Sequence, residues 1–134
     1  MISLDTNVIL AAFDPEDALH EAALSILDRL AAQALVICPV VYSELAASRS
    51  WEGLRAFLDR AGVEVLWEMP PAVWERAGKA MGAYARARRA RQMPRRVAAD
   101  FLVGAHAEHH GLTLATLDPV VYESTFQTVP LVTR

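Results

Sequence analysis

Short apolar runs alternate with longer amphipathic stretches along the whole chain. Ile2-Ser3-Leu4 and Leu35-Val36-Ile37-Cys38 read as buried strands, because strands covered on both faces lose the two-residue alternation. Val63 to Trp67 alternates apolar and acidic residues, as an edge strand does. Leu112 to Thr116 is a fourth strand and Thr128 to Val132 a last one. Helical patterns fill the intervals. One opens just after Asp5, with Thr6 or Asn7 as its cap and Val8, Ile9 and Leu10 as its apolar start. Asp14-Pro15-Glu16-Asp17 reads as the start of a second, with Asp14 as N-cap, running to about Gln33. Others are predicted from Val40 to about Ala47, from Trp51 to Ala61 with Ser48 or Ser50 as cap and Gly62 as stop, and from about Ala72 to Arg91. Met93-Pro94 breaks that last helix, and a further one runs from about Val97 to His110, ending at Gly111. Asp118-Pro119 is a turn signal. Strands alternating with helices imply an α/β domain with a mostly parallel sheet.

Composition narrows the class. At 134 residues the chain is expected to be one domain over residues 1–134, and 54% hydrophobic residues argue against disorder. No run of about 18 apolar residues occurs, so no membrane span is expected. Strand-like sequence begins at residue 2 without a basic lead, so no signal peptide is expected either. The single cysteine, Cys38, excludes an internal disulfide, fits a reducing cytoplasm and reads as a core thiol.

Charge is distributed unevenly. Residues 1–75 hold 12 acids against 4 cations, and residues 76–134 hold 9 cations against 4 acids. Such asymmetry hints at a polyanionic partner. Arg86, Arg88, Arg89, Arg91, Arg95 and Arg96 crowd into eleven residues without an acid. They are either a solvated helix end, where cations suit the dipole, or a surface for a phosphate backbone.

Four acids fall at or near the C-terminal ends of predicted strands, where open parallel sheets bind ligands. Asp5 ends the first strand, Glu44 lies six residues past the second, and Asp118 follows the fourth by two. Asp100 opens the helix that leads into the fourth. The turn after the first strand has no glycine, so it is neither a phosphate loop nor a dinucleotide fingerprint. Each acid has a plain structural reading: Asp5 and Asp118 as helix caps, Asp100 facing a helix dipole, Glu44 solvated. Gathered in one cleft, four carboxylates would repel, and an oxygen-preferring divalent cation, Mg²⁺ or Mn²⁺, would relieve that repulsion. The chemistry that follows is metal-assisted hydrolysis of a phosphodiester.

Leu4-Asp5-Thr6-Asn7-Val8, the isolated Glu44, Ala99-Asp100-Phe101-Leu102-Val103-Gly104-Ala105 and Leu114-Ala115-Thr116-Leu117-Asp118, in that order, resemble a PIN domain. The length is similar to that of toxin ribonucleases of VapC type. The resemblance spans nearly the whole chain. It implies a three-layer, five-stranded parallel sheet flanked by helices and an endoribonuclease activity. It makes Asp5, Glu44, Asp100 and Asp118 a catalytic quartet holding Mg²⁺ or Mn²⁺, with Asp5 and Asp100 as main metal ligands, Asp118 as another and Thr116 as a supporting hydroxyl. It also implies RNA as substrate, a neighbouring antitoxin as inhibitor, and a homodimer. One departure is the segment Pro119-Val120-Val121-Tyr122, where the family often has a polar residue and Phe; Tyr122 is expected to take the packing role.

Other features have weaker readings. His106, His109 and His110 have helical metal-ligand spacing but no zincin glutamate, and read as a solvated face. Trp51, Trp67 and Trp74 read as core or interface. Gly78 and Gly82, costly inside a helix, suggest the close approach of a neighbouring helix or a second subunit. A phosphoaspartate phosphatase would need an acid where Asn7 stands. The alternative to the nuclease is a catalytically silent PIN-like domain that binds RNA or protein.

Overall fold

A computed structural model describes residues 1–91 and 98–134, with Arg91 described in its backbone only. Five parallel strands form one sheet: β1 (Ile2–Leu4), β2 (Leu35–Ile37), β3 (Glu64–Val65), β4 (Thr113–Ala115) and β5 (Leu131–Val132), in the order β3-β2-β1-β4-β5. Ile2 pairs with Leu35 on one side and with Thr113 on the other, so β1 is central. The chain winds outward from β1 through β2 to β3, then returns to β4 and winds the other way. That reversal opens a crevice between the C-terminal ends of β1 and β4.

Among the described residues seven helices flank the sheet: α1 (Thr6–Phe13), α2 (His20–Arg29), α3 (Pro39–Ala46), α4 (Trp51–Ala61), α5 (Pro71–Arg91), α6 (Ala98–His110) and α7 (Val120–Thr125). α1 packs against α2, α3 and α4, while α6 packs against α5 and α7 and touches α3. The arrangement is the expected three-layer α/β fold, with a core of aliphatic side chains joined by Phe101, Tyr122 and Phe126. Among the described residues no helix is long and apolar enough to cross a membrane.

The strands and most helices fall where the apolar pattern predicts, with strands shorter than expected. Gly62 and Gly111 end α4 and α6 with φ of 69° and 64°, the left-handed turn that glycine adopts without a Cβ penalty. Three expectations are corrected. Asp5, not Thr6 or Asn7, caps α1, its Oδ1 accepting the Thr6 amide at 2.9 Å. Asp14 does not start a helix: its carboxylate accepts the Glu16 amide and that of Asp17 accepts the Leu19 amide, so both acids make tight turns. The helix begins only at His20, whose Nδ1 donates to the Ala11 carbonyl at 2.7 Å, and it ends at Arg29 rather than near Gln33. The segment after Pro119, given no element from the pattern, is the short helix α7. The break at Met93-Pro94 and the start at Val97 lie outside the described residues.

Candidate metal centre

The main-chain ladder carries two polar side chains to the crevice. The Asp5 amide donates to the Ala115 carbonyl and the Thr116 amide to the Val132 carbonyl, so both residues sit one step past their strands. Asp5 is only 7% exposed. Its Oδ2 accepts from the Thr116 hydroxyl at 2.8 Å, from the Tyr122 hydroxyl at 3.1 Å and, at longer range, from the Asn7 amide at 3.4 Å. Asn7 is oriented by the Leu117 amide, which donates to its Oδ1 at 3.0 Å and thereby ties α1 to the loop after β4.

Glu44 lies exposed on α3, beside the start of α1, and its Oε1 accepts from the Thr6 hydroxyl at 2.6 Å. Asp100 stands half-buried in the first turn of α6, near enough for its charge to act on the Tyr122 phenol. Asp118 is exposed at the rim, and its amide donates to the Thr116 hydroxyl at 3.0 Å. The structure thus joins Asp5 and Glu44 through Thr6, while the Asp100 charge acts on the Tyr122 phenol that holds Asp5. Among the described residues, no three His, Cys, Asp or Glu side chains stand close enough together to hold a metal ion.

Electrostatics single out Asp5. Burial raises its carboxyl above the usual range, the Thr116, Tyr122 and Thr6 hydrogen bonds oppose that rise, and Glu44 adds to it. Among the described residues the salt bridge is Arg76 to Glu108, so no cation pairs with Asp5. A buried carboxylate with no cationic partner among the described residues, and with the Glu44 charge acting on it, fits a hard divalent cation. Cys38, beneath the site, is held as a thiol: burial pushes it up to about 11, with Glu44 and Asp5 adding to the rise.

Sequence reasoning missed the hydroxyls of Thr6 and Tyr122 and the role of Asn7. The first and last are visible as polar residues in the Asp5 motif; the Tyr122 contact, 117 residues away in the chain, has no local signal. Other expectations change. His106 is not on a solvated face but 0% exposed, because α6 is covered by α5, α7 and α3, while His109 is exposed. Trp51 packs partly buried against the core and, with Trp67, flanks the Tyr42 ring, each with centroids 5.2 Å away, while Trp67 and Trp74 are 62% and 52% exposed. Among the described residues no backbone closes on Gly78 or Gly82; a Cβ at Gly78 would meet nothing there and one at Gly82 only the Arg86 side chain, which removes the neighbouring helix and leaves the second subunit of the two readings. Arg86, Arg88 and Arg89 lie on the last turns of α5, whereas Arg95, Arg96 and the Arg91 side chain are outside the described residues. A groove of about 510 Å³ between α5 and α7 is lined by Arg76, Lys79, Tyr84 and Ser124 among others.

Residues 2–125 match the PIN domain. No curated protein matches the chain. Among solved structures, VapBC-1 from nontypeable Haemophilus influenzae aligns over 99% of this chain and 98% of its own, with 20% identity and a TM-score of 0.65. FitAcB from Neisseria gonorrhoeae aligns over 98% and 96%, with 22% identity and a TM-score of 0.64. Mycobacterium tuberculosis VapC20, described as a sarcin-ricin loop cleaving toxin, aligns over 92% and 95%, with 18% identity and a TM-score of 0.62.

Proposed function

This chain belongs to the PIN domain family and has the fold of VapC-type toxins, and from that premise we propose that it is a metal-dependent endoribonuclease, the toxin of a toxin–antitoxin pair. The observation that carries the reading is Asp5, a buried carboxylate without a cationic partner among the described residues, in the crevice where the strand order reverses. Asp5, Asp100 and Asp118 are the ligands we assign to Mg²⁺ or Mn²⁺, with Glu44 as the fourth acid. When bound, such a cation orients and deprotonates water and stabilises charge on the phosphodiester. Thr116 and Tyr122 hold the Asp5 carboxylate in place, and the Thr6 hydroxyl orients Glu44. Arg86, Arg88 and Arg89 sit on the helix that precedes α6, which carries Asp100, and offer phosphate a cationic approach to the acids.

Its partners, on this reading, are an RNA substrate, a cognate antitoxin and a second copy of the chain. The exposed α5 face with Trp74, Gly78 and Met81 is available for either protein. A monomer in light scattering at micromolar concentration would remove the second copy. The test of activity is cleavage of RNA with Mg²⁺ by wild type and Asp100→Asn. Cleavage by wild type and none by a folded Asp100→Asn is expected. Equal cleavage by both would sink the site, and RNA binding without cleavage by wild type would make the chain a silent PIN-like domain.

A further inference from the structure

Tyr122 is 1% exposed on α7, and its position is set from the far end of that helix. The Arg76 guanidinium donates to the Thr125 carbonyl at 3.0 Å, pairs with Glu108 at 2.8 Å and lies 4.7 Å from the Phe126 ring centroid. Phe126 in turn occupies the space that Gly104 leaves open; a Cβ there would lie 2.4 Å from the ring. With that end clamped to α5 and α6, the Tyr122 ring packs toward Phe126 at 6.5 Å and its hydroxyl reaches Asp5.

Packing alone does not call for this hydroxyl. A phenylalanine would fill the same space without the cost of burying an O–H. The hydroxyl is placed on one particular oxygen. Asp5 Oδ2 takes Thr116, Tyr122 and the distant Asn7 amide, while Oδ1 among the described residues takes only the Thr6 amide. One oxygen is saturated and the other keeps a lone pair.

We propose that Tyr122 is a positioning residue for the metal-binding carboxylate, its hydroxyl acting with Thr116 to lock Oδ2 of Asp5 so that Oδ1 is the oxygen presented to the cation. The inference rests on the reading of Asp5 as a metal ligand. Groups that orient a metal ligand typically set affinity by about 10- to 100-fold.

The experiment is Mn²⁺ titration calorimetry and thermal unfolding on full-length wild type, Tyr122→Phe and Tyr122→Leu. Tyr122→Phe is expected to keep the wild-type melting temperature and to bind Mn²⁺ at least about tenfold more weakly. Tyr122→Leu should lose both. Wild-type Mn²⁺ affinity in Tyr122→Phe overturns the positioning role and leaves the Asp5 reading standing; a wild type that binds no Mn²⁺ overturns both. In wild type, the hydrogen-bonded Tyr122 hydroxyl proton should give a slowly exchanging NMR resonance that shifts on adding Mg²⁺. An unmoved resonance overturns the proposal even where Tyr122→Phe does not fold.

Discussion

Asp5 and His106 are both buried titratable side chains, yet the fold supports them in opposite ways. Asp5 gathers a backbone amide, two hydroxyls and a carboxamide around one carboxylate. Among the described residues His106 has one hydrogen-bond partner: its Nε2–H donates to the Leu66 carbonyl at 2.9 Å, while its buried Nδ1 has none. Burial raises the Asp5 carboxyl and lowers the His106 imidazole, penalising the charged form of each. At Asp5 several donors oppose that penalty; at His106 only Leu66 does, and His110 and His109 add to it. A buried group so surrounded can hold charge for chemistry. A half-satisfied one stays neutral and serves as a staple, here tying α6 to the segment that follows β3.

The largest effect that sharpens this contrast is at the charge itself. Asp5→Asn keeps the shape and removes the anion, so RNA cleavage should fall by at least about a hundredfold, while the denaturation midpoint stays level or rises as a buried charge is lost. A cleaving Asp5→Asn protein would reduce Asp5 to a helix cap.

Gly104→Ala attacks the support from behind. The new Cβ must displace Phe126, and overpacking of this kind costs about 1–3 kcal/mol. Urea unfolding should show the loss, with weakened cleavage because α7 moves with Phe126. An unchanged midpoint would mean that α7 repacks freely.

His106 predicts a pH dependence of definite sign. Its folded pKa lies below the ordinary 6.5, so the unfolded chain binds the proton more readily. Stability from this group is complete above about pH 6.5 and is lost as pH falls from there toward the folded pKa. Guanidinium midpoints measured from pH 7.5 to 5 should decline, and His106→Gln should flatten the decline. An equally steep decline in the variant would show that His106 is not its source.

The smallest effect is expected among the exposed charges of α5. Arg88→Ala with Arg89→Ala should weaken RNA binding broadly, leave cleavage-site preference unchanged and lower the log–log salt slope by roughly 0.7 per lost phosphate contact. Wild-type affinity with an unchanged slope would make these arginines solvated surface.

What the sequence determined by itself is what local forces dictate. The apolar runs at Ile2–Leu4 and Leu35–Ile37 need burial on both faces, so a central parallel sheet follows from them alone. Gly62 and Gly111 stop helices because their backbone freedom is intrinsic. The positions of Asp5, Glu44, Asp100 and Asp118 relative to strand ends could be read for the same reason. Tertiary structure decided the rest. Asp14 and Asp17 had the composition of a helix start, but their side chains found nearer amides in turns, and α2 waited for His20. Whether His106 faced water depended on which helices came to cover α6, and whether Gly78 met a neighbour depended on what lay opposite α5. The Tyr122 hydroxyl reached Asp5 only because Arg76, Glu108 and Gly104, from two other helices, set where α7 lies. Hydrophobic patterning specifies which face of an element is buried; it carries no information about which distant polar atom will meet another there.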